Sequence, residues 1–141
     1  NMIEYHANPE ATVEAIDKQG WLHTGDLGTM DSRGYVRVTG RGKEMIIRGG
    51  ENMFPAEIEN ALLEHSAVAE VAVVGLPDDK WGEVPCAFVE LKAGESTKDQ
   101  ELIEFCTQHM ARFKRPKKII FGPLPKTATG KIQKHELRQR I

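Results

Sequence analysis

The stretch AVAEVAVVG-LPDDKWG-EVPCAFVEL, residues 67–91, sets two short apolar runs either side of a polar connection. Both runs are rich in valine and too short for a typical helix, so each reads as a strand. The second, residues 83–91, is so apolar that both of its faces are expected to be covered. Residues 76–82 read as a loop. Upstream, EMIIRGGENMF (44–54) reads as a short strand broken by Gly49 and Gly50. PAEIENALLEHS (55–66) reads as a helix, with Ile58, Ala61, Leu62 and His65 at helical spacing behind Pro55 in the first turn. Downstream, Thr97 to Gln100 has the form of a capping box. It precedes a helix with Leu102, Phe105, Cys106, His109 and Met110 along one face. KKIIF (117–121) reads as a strand after the break at Pro116, GPLPKTATG (122–130) as a loop, and KIQKHELRQRI (131–141) as a final helix. This order predicts an α+β fold, a small two-layer domain with helices packed on a short mixed sheet.

Ahead of it, PEATVEAID (9–17) fits a short helix opening on Pro9. GWLHTGDLGTM and GYVRVTGR flank DSRG (31–34), a pattern for a β-hairpin that ends at Gly40. The change in composition places a boundary within 40–44.

The 141 residues are 40% hydrophobic and 28% charged, enough apolar material for a packed core. A net charge of -2 gives no global field favouring nucleic acid or an anionic membrane. Cys86 and Cys106 lie far apart with no Cys-x-x-Cys spacing, which suits core residues in a reducing, cytoplasmic setting. The five histidines show no metal-ligand spacing, so no metal held by this chain is expected. No apolar run approaches a transmembrane span. The opening NMIEYH lacks an initiator Met and reads as part of a longer chain.

Three motifs carry chemistry. In PKTATGKIQKHELR (125–138), a Gly-Lys pair at a loop-to-helix junction suits an anion. A Walker loop is excluded, because Gly122 and Gly130 have seven residues between them and Ile132 follows Lys131. Taken alone, Lys131 reads as a solvated surface lysine. KRPKK (114–118), after Phe113, reads either as a footprint for a small phosphate-bearing ligand, with Arg115 as anchor, or as a solvated turn. Its narrow extent argues against a nucleic-acid backbone. In HTGD (23–26), Asp26 could accept hydrogen bonds from vicinal hydroxyls, but locally it reads as a turn residue.

Read together, GWLHTGDLG, GYVRVTGRGKEMIIRGGENMFPAEIE and PKTATGKIQKHELR resemble the adenylate-forming superfamily of acyl-CoA synthetases, aryl-CoA ligases, luciferases and peptide-synthetase adenylation domains. The resemblance spans essentially the whole chain. It implies that residues 1–40 are the tail of a large amino-terminal domain, 41–43 a hinge, and 44–141 the small mobile carboxyl-terminal domain. The implied activity converts a carboxylic acid, ATP and CoA into acyl-CoA, AMP and diphosphate through an acyl-adenylate, usually with Mg2+. A fatty or aromatic acid is the expected substrate, and the fragment alone is expected to be inactive. GGENMFPAEIE is more similar to the CoA ligases than to peptide-synthetase domains, which favours CoA over a carrier-protein arm as acceptor. A non-catalytic nucleotide-binding or regulatory module stands as the alternative.

By the same resemblance, Asp26 matches a ribose-binding aspartate of the ATP or AMP site, Arg41 its assisting arginine and Lys43 the hinge position. Lys131 matches the lysine delivered to the adenylation step. Gly49 and Gly50 match the backbone passing close to pantetheine. Trp81, Phe113 and Arg115 match positions contacting the CoA nucleotide in some relatives, although Trp81 reads equally as a half-buried loop anchor.

Overall fold

The computed structural model describes residues 2–141. The chain divides into two compact units, Asn1–Lys43 and Glu44–Ile141. In the first, α1 (Pro9–Ala15) is capped by Asn8, whose side-chain oxygen accepts the Ala11 N–H at 3.0 Å. The cap satisfies an otherwise orphaned first-turn donor. Strands β1 (Asp26–Met30) and β2 (Val36–Arg41) form an antiparallel hairpin that runs one residue past Gly40. The Asp31 carboxylate organises the turn by accepting the backbone N–H groups of Arg33 and Tyr35. Those bonds and the Arg33 guanidinium, the largest cause, hold the Asp31 carboxyl below its usual range. The hairpin leaves Met30, Val36 and Val38 exposed and α1 contributes no buried residue, so this unit has little core of its own.

The second unit is the α+β domain. A hairpin of β3 (Ile46–Arg48) and β4 (Glu51–Met53) turns at Gly49 and Gly50, both at positive φ, and α2 (Pro55–Leu63) follows. Strands β5 (Val68–Asp78) and β6 (Gly82–Leu91) then pair antiparallel along nearly their whole length, so the connection is only residues 79–81. After α3 (Asp99–His109), β7 (Lys118–Phe121) adds to β6 in parallel. The sheet is therefore mixed, with order β4-β3-β6-β5 and β7 beside β6.

Alternation along β5 and β6 sends side chains into two cores. Val71, Val73, Ala87 and Val89 pack with Ile58 and Leu62 of α2 and with Leu102 and Cys106 of α3. Ala72, Val74, Cys86 and Phe88 pack on the other face with Leu124 and with Leu137 of α4 (Lys134–Arg138). The expectation that β6 is covered on both faces holds. Both cysteines are buried, one in each core, and burial pushes the Cys106 thiol up to about 11.

The expected 76–82 loop shrinks to 79–81, because β5 and β6 extend into it, and two further local expectations fail. The capping box does not form: α3 begins at Asp99 behind Lys98 with no side-chain cap, and the Thr97 hydroxyl instead bonds the Glu101 carboxylate at 2.9 Å. The final helix does not start at Lys131, because Ile132 is engaged in a β-bridge with Lys126; only five residues, Lys134–Arg138, are helical. Among the described residues no helix is long and apolar enough to cross a membrane.

Leu62 is fully buried between α2 and the sheet. Leu62→Ala is expected to destabilise the domain by about 2–5 kcal/mol, read as a shift in the urea denaturation midpoint.

Candidate functional site

The sequence-derived residues fall into three groups. In the first unit, the β1–β2 register sets Asp26 opposite Arg41, and Arg41 Nε lies 3.2 Å from Asp26 Oδ1. Both are exposed at the hairpin's open end, so a carboxylate and a guanidinium stand side by side, where they could bind hydroxyls and phosphate. Lys43 follows in a one-turn 3-10 segment, Gly42–Glu44, and is exposed.

Within the second unit, Lys131 sits on a tight turn. The Gly130 N–H bonds the Thr127 carbonyl at 2.9 Å, with Gly130 at φ +82°, which glycine adopts without penalty. Thr127 grips Lys131 from both sides: its N–H donates to the Lys131 carbonyl at 2.8 Å, and its Oγ1 accepts the Lys131 N–H at 3.1 Å. The Lys131 ammonium forms no ion pair among the described residues and is exposed. The segment is tied to one end of the β5–β6 ribbon. There Glu70 and Glu90 face each other across the strands, a repulsive pairing. It is offset by Lys126 Nζ at 2.5 Å from Glu70 and by the Leu124 N–H at 3.0 Å from Glu90. The bond to Glu70, with added attraction from Glu90, raises the Lys126 pKa.

The third group assembles at the opposite end, around the 79–81 turn. The Gly49 N–H donates to the Trp81 carbonyl at 2.8 Å, and a Cβ on Gly49 would lie 3.0 Å from the Trp81 ring. Gly49 is thus required both by its φ of +59° and by the indole packed on it, whereas Gly50 has open space. The Arg48 guanidinium lies 5.6 Å from the Trp81 ring centre and donates to the Phe113 carbonyl. Arg48 therefore joins Gly49, Trp81 and Phe113 into one cluster. The Asp78 carboxylate shapes the turn by accepting the Lys80 and Trp81 N–H groups, while Lys117 Nζ lies 2.5 Å away. Chiefly that lysine, with the two backbone bonds, holds the Asp78 carboxyl below its usual range. Trp81 and Phe113 remain partly exposed, offering two aromatic surfaces beside the ammonium groups of Lys80 and Lys114. Arg115 is not joined to this cluster; its charge acts on the Cys106 thiol, and its Nε is buried without a hydrogen-bond partner.

The Lys131 segment and the Trp81 cluster are thus anchored at opposite ends of one ribbon. The eight steps from Gly82 to Glu90 span about 26 Å at roughly 3.3 Å per residue. Arg48, Asp78 and Thr127 escape a reading of the sequence, since neither a lone arginine before two glycines nor a threonine four residues before a lysine has a periodic signature. No group of three or more His, Cys, Asp or Glu side chains among the described residues could hold a metal ion.

Residues 57–131 match the family model of the AMP-binding enzyme C-terminal domain, and the chain belongs to that family. It is 50% identical over 138 residues to 2-succinylbenzoate–CoA ligase of Bacillus cereus, covering 97% of this chain and 28% of that protein. It is 48% identical over 144 residues to acetate–CoA ligase CCL3 of Humulus lupulus, covering 99% and 25% respectively. Among solved structures, o-succinylbenzoate CoA synthetase from Bacillus subtilis, in complex with its acyl-adenylate intermediate, superposes with a TM-score of 0.89 at 39% identity, over 97% of this chain and 28% of that one. The chain spans about a quarter of the length of the curated relatives it matches.

Gly49→Ala combines a strained φ with a clash on Trp81. It is expected to cost about 1–3 kcal/mol in a urea melt, clearly more than Gly50→Ala, which adds strain without a clash.

Proposed function

We propose that this chain supplies the hinge and the carboxyl-terminal domain of an ATP-dependent carboxylate–CoA ligase, with residues 1–40 the tail of a large amino-terminal domain and 41–43 the pivot. In the first half-reaction a substrate carboxylate oxygen attacks the α-phosphorus of ATP, and the bond to the leaving pyrophosphate breaks. In the second, the CoA sulfur attacks the acyl carbon, a C–S bond forms, and AMP leaves. The observation that carries the reading is the placement of two sets of ligand-suited groups at opposite ends of the β5–β6 ribbon. One rigid domain of this shape cannot bring both ends to one reacting centre in a single pose. Rotation about a pivot between the steps meets that need, and an exposed residue such as Lys43, in the one-turn 3-10 segment that follows β2, can change its dihedrals with little repacking.

Lys131, on a turn fixed by Thr127, is the group for adenylation. Its ammonium bridges the substrate carboxylate and the phosphate oxygens, aligning the attack and stabilising the charge that develops. Asp26 receives the ribose hydroxyls, with Arg41 beside it as phosphate partner. In thioester formation Gly49 and Gly50 give the pantetheine arm a path without side chains, and Trp81 and Phe113 stack against the adenine of CoA, with Arg48 holding both in place. Arg115 is left with a weaker role as a phosphate partner. Among the described residues magnesium finds no ligand cluster. The buried, separated thiols of Cys86 and Cys106 suit a reducing, cytoplasmic compartment.

The acid itself is chosen elsewhere in the full protein. Near-equal identity to a 2-succinylbenzoate ligase and an acetate ligase supports that division, because the same domain accompanies very different acids. The 141-residue chain by itself is expected to be inactive.

In the full-length protein, Lys131→Ala is expected to slow pyrophosphate release by about 100-fold or more, while conversion of supplied acyl-adenylate to thioester stays close to wild type. Equal loss in the two assays would remove Lys131 from the adenylation step.

A further inference from the structure

Three residues beyond Lys131, the Lys134 ammonium lies 2.8 Å from Glu44 Oε2 and 2.8 Å from Glu59 Oε1. These are not loose surface pairs: the side chains of Lys134, Glu44 and Glu59 are 16%, 32% and 18% exposed. Glu59 is held in turn, since its Oε1 accepts the Val73 N–H of central strand β5 at 2.8 Å. One ammonium therefore ties together the start of α4, the body of the domain through α2 and β5, and Glu44, the residue directly after Lys43.

The helix that carries Lys134 is five residues long and cannot hold itself. Its only fully buried side chain is Leu137, and apolar contact is non-directional. A charge-assisted bond from one ammonium to two fixed carboxylates is directional. Between Lys131 and Lys134 the backbone has little freedom, because Ile132 bridges to Lys126 and the Gln133 N–H bonds the Pro125 carbonyl at 2.8 Å. What holds Lys134 therefore also sets where Lys131 stands.

We propose that Lys134 is a positioning residue for adenylation: by pairing with Glu44 and Glu59 it couples the Lys131 turn to the first residue beyond the pivot, so that rotation at Lys43 delivers Lys131 in a fixed pose. This rests on the function proposed above. It assigns the Lys134–Glu44 link a role in the first half-reaction that the Trp81 end of the domain does not share.

The test uses the full-length protein and two assays, pyrophosphate release and thioester formation from supplied acyl-adenylate. Lys134→Met breaks both links. Glu44→Ala breaks only the pivot-side link and leaves Lys134 and Glu59 as a neutral pair, so the domain stays folded. Both variants are expected to lower kcat for adenylation by about tenfold or more, with the KM for ATP changing by less than about threefold, because pose rather than binding is lost. Thioester formation should be spared in both variants, and Lys134→Arg should restore adenylation. Parallel loss of both half-reactions, or no loss of adenylation in Glu44→Ala, would reduce the triad to a structural tie and overturn the proposal. Lys131→Ala, run alongside, separates the two ideas. If it splits the half-reactions while Glu44→Ala does not, only the positioning role falls; if it fails to split them, the functional reading falls and the positioning role with it.

Discussion

The antiparallel pairing of β5 with β6 is the constraint on which the rest of the domain depends. Its ten-residue register, from Val68–Leu91 to Asp78–Gly82, makes a ribbon with two apolar faces. Neither face can remain in water, because alternating Val, Ala, Cys and Phe side chains fill both. Helices α2 and α3 cover one face, and the other is covered by Leu124 and the short α4. That second cover explains why so small a helix persists at all. It is held by Leu137 in the core and by the Lys134 ammonium at its start.

The same ribbon separates two sets of polar groups. At the turn end, Asp78 fixes the backbone that presents Trp81, and Arg48 bridges from Trp81 to Phe113. At the other end, Lys126 pairs with Glu70 and the Leu124 N–H bonds the facing Glu90, and these contacts anchor the turn that carries Lys131. Each end is built by local hydrogen bonding on a stiff sheet, so neither needs a loop to fold on binding. For the two sequential reactions proposed above, stiffness within the domain would move the conformational change to its boundary. The Asp26–Arg41 pair lies in the other compact unit, on a hairpin with little core of its own.

Much of this was legible in the sequence, for identifiable physical reasons. Burial leaves a period in the α2 stripe and a continuous apolar run in β6, while the Gly49–Gly50 pair marks a turn. Asp26, Arg41, Lys43 and Lys131 are singled out only by motifs in order, which no local rule supplies, and their roles rest on that resemblance. What stayed hidden depended on partners distant in sequence. Arg48 meets Phe113 sixty-five residues away, and Lys134 meets Glu44 across ninety. The final helix is shorter than the sequence predicts, because apolar spacing around Ile132 fits a helix as well as the short bridge to Lys126 that the fold uses. The Thr97 capping box was displaced by a competing side-chain bond to Glu101, four residues on, which shares the spacing of a helix pair.

Rotation of the domain about Lys43 is the central claim, and a distance measurement reaches it most directly. Spin labels on Ser32→Cys and Glu95→Cys of the full-length protein would report on the two units from exposed turns outside the proposed sites, with Cys86 and Cys106 too buried to label. Pulsed electron resonance should give one distance distribution with the acid and a non-hydrolysable ATP analogue, and a clearly different one with AMP and CoA. A single distribution, unmoved by either set of ligands, would contradict domain alternation.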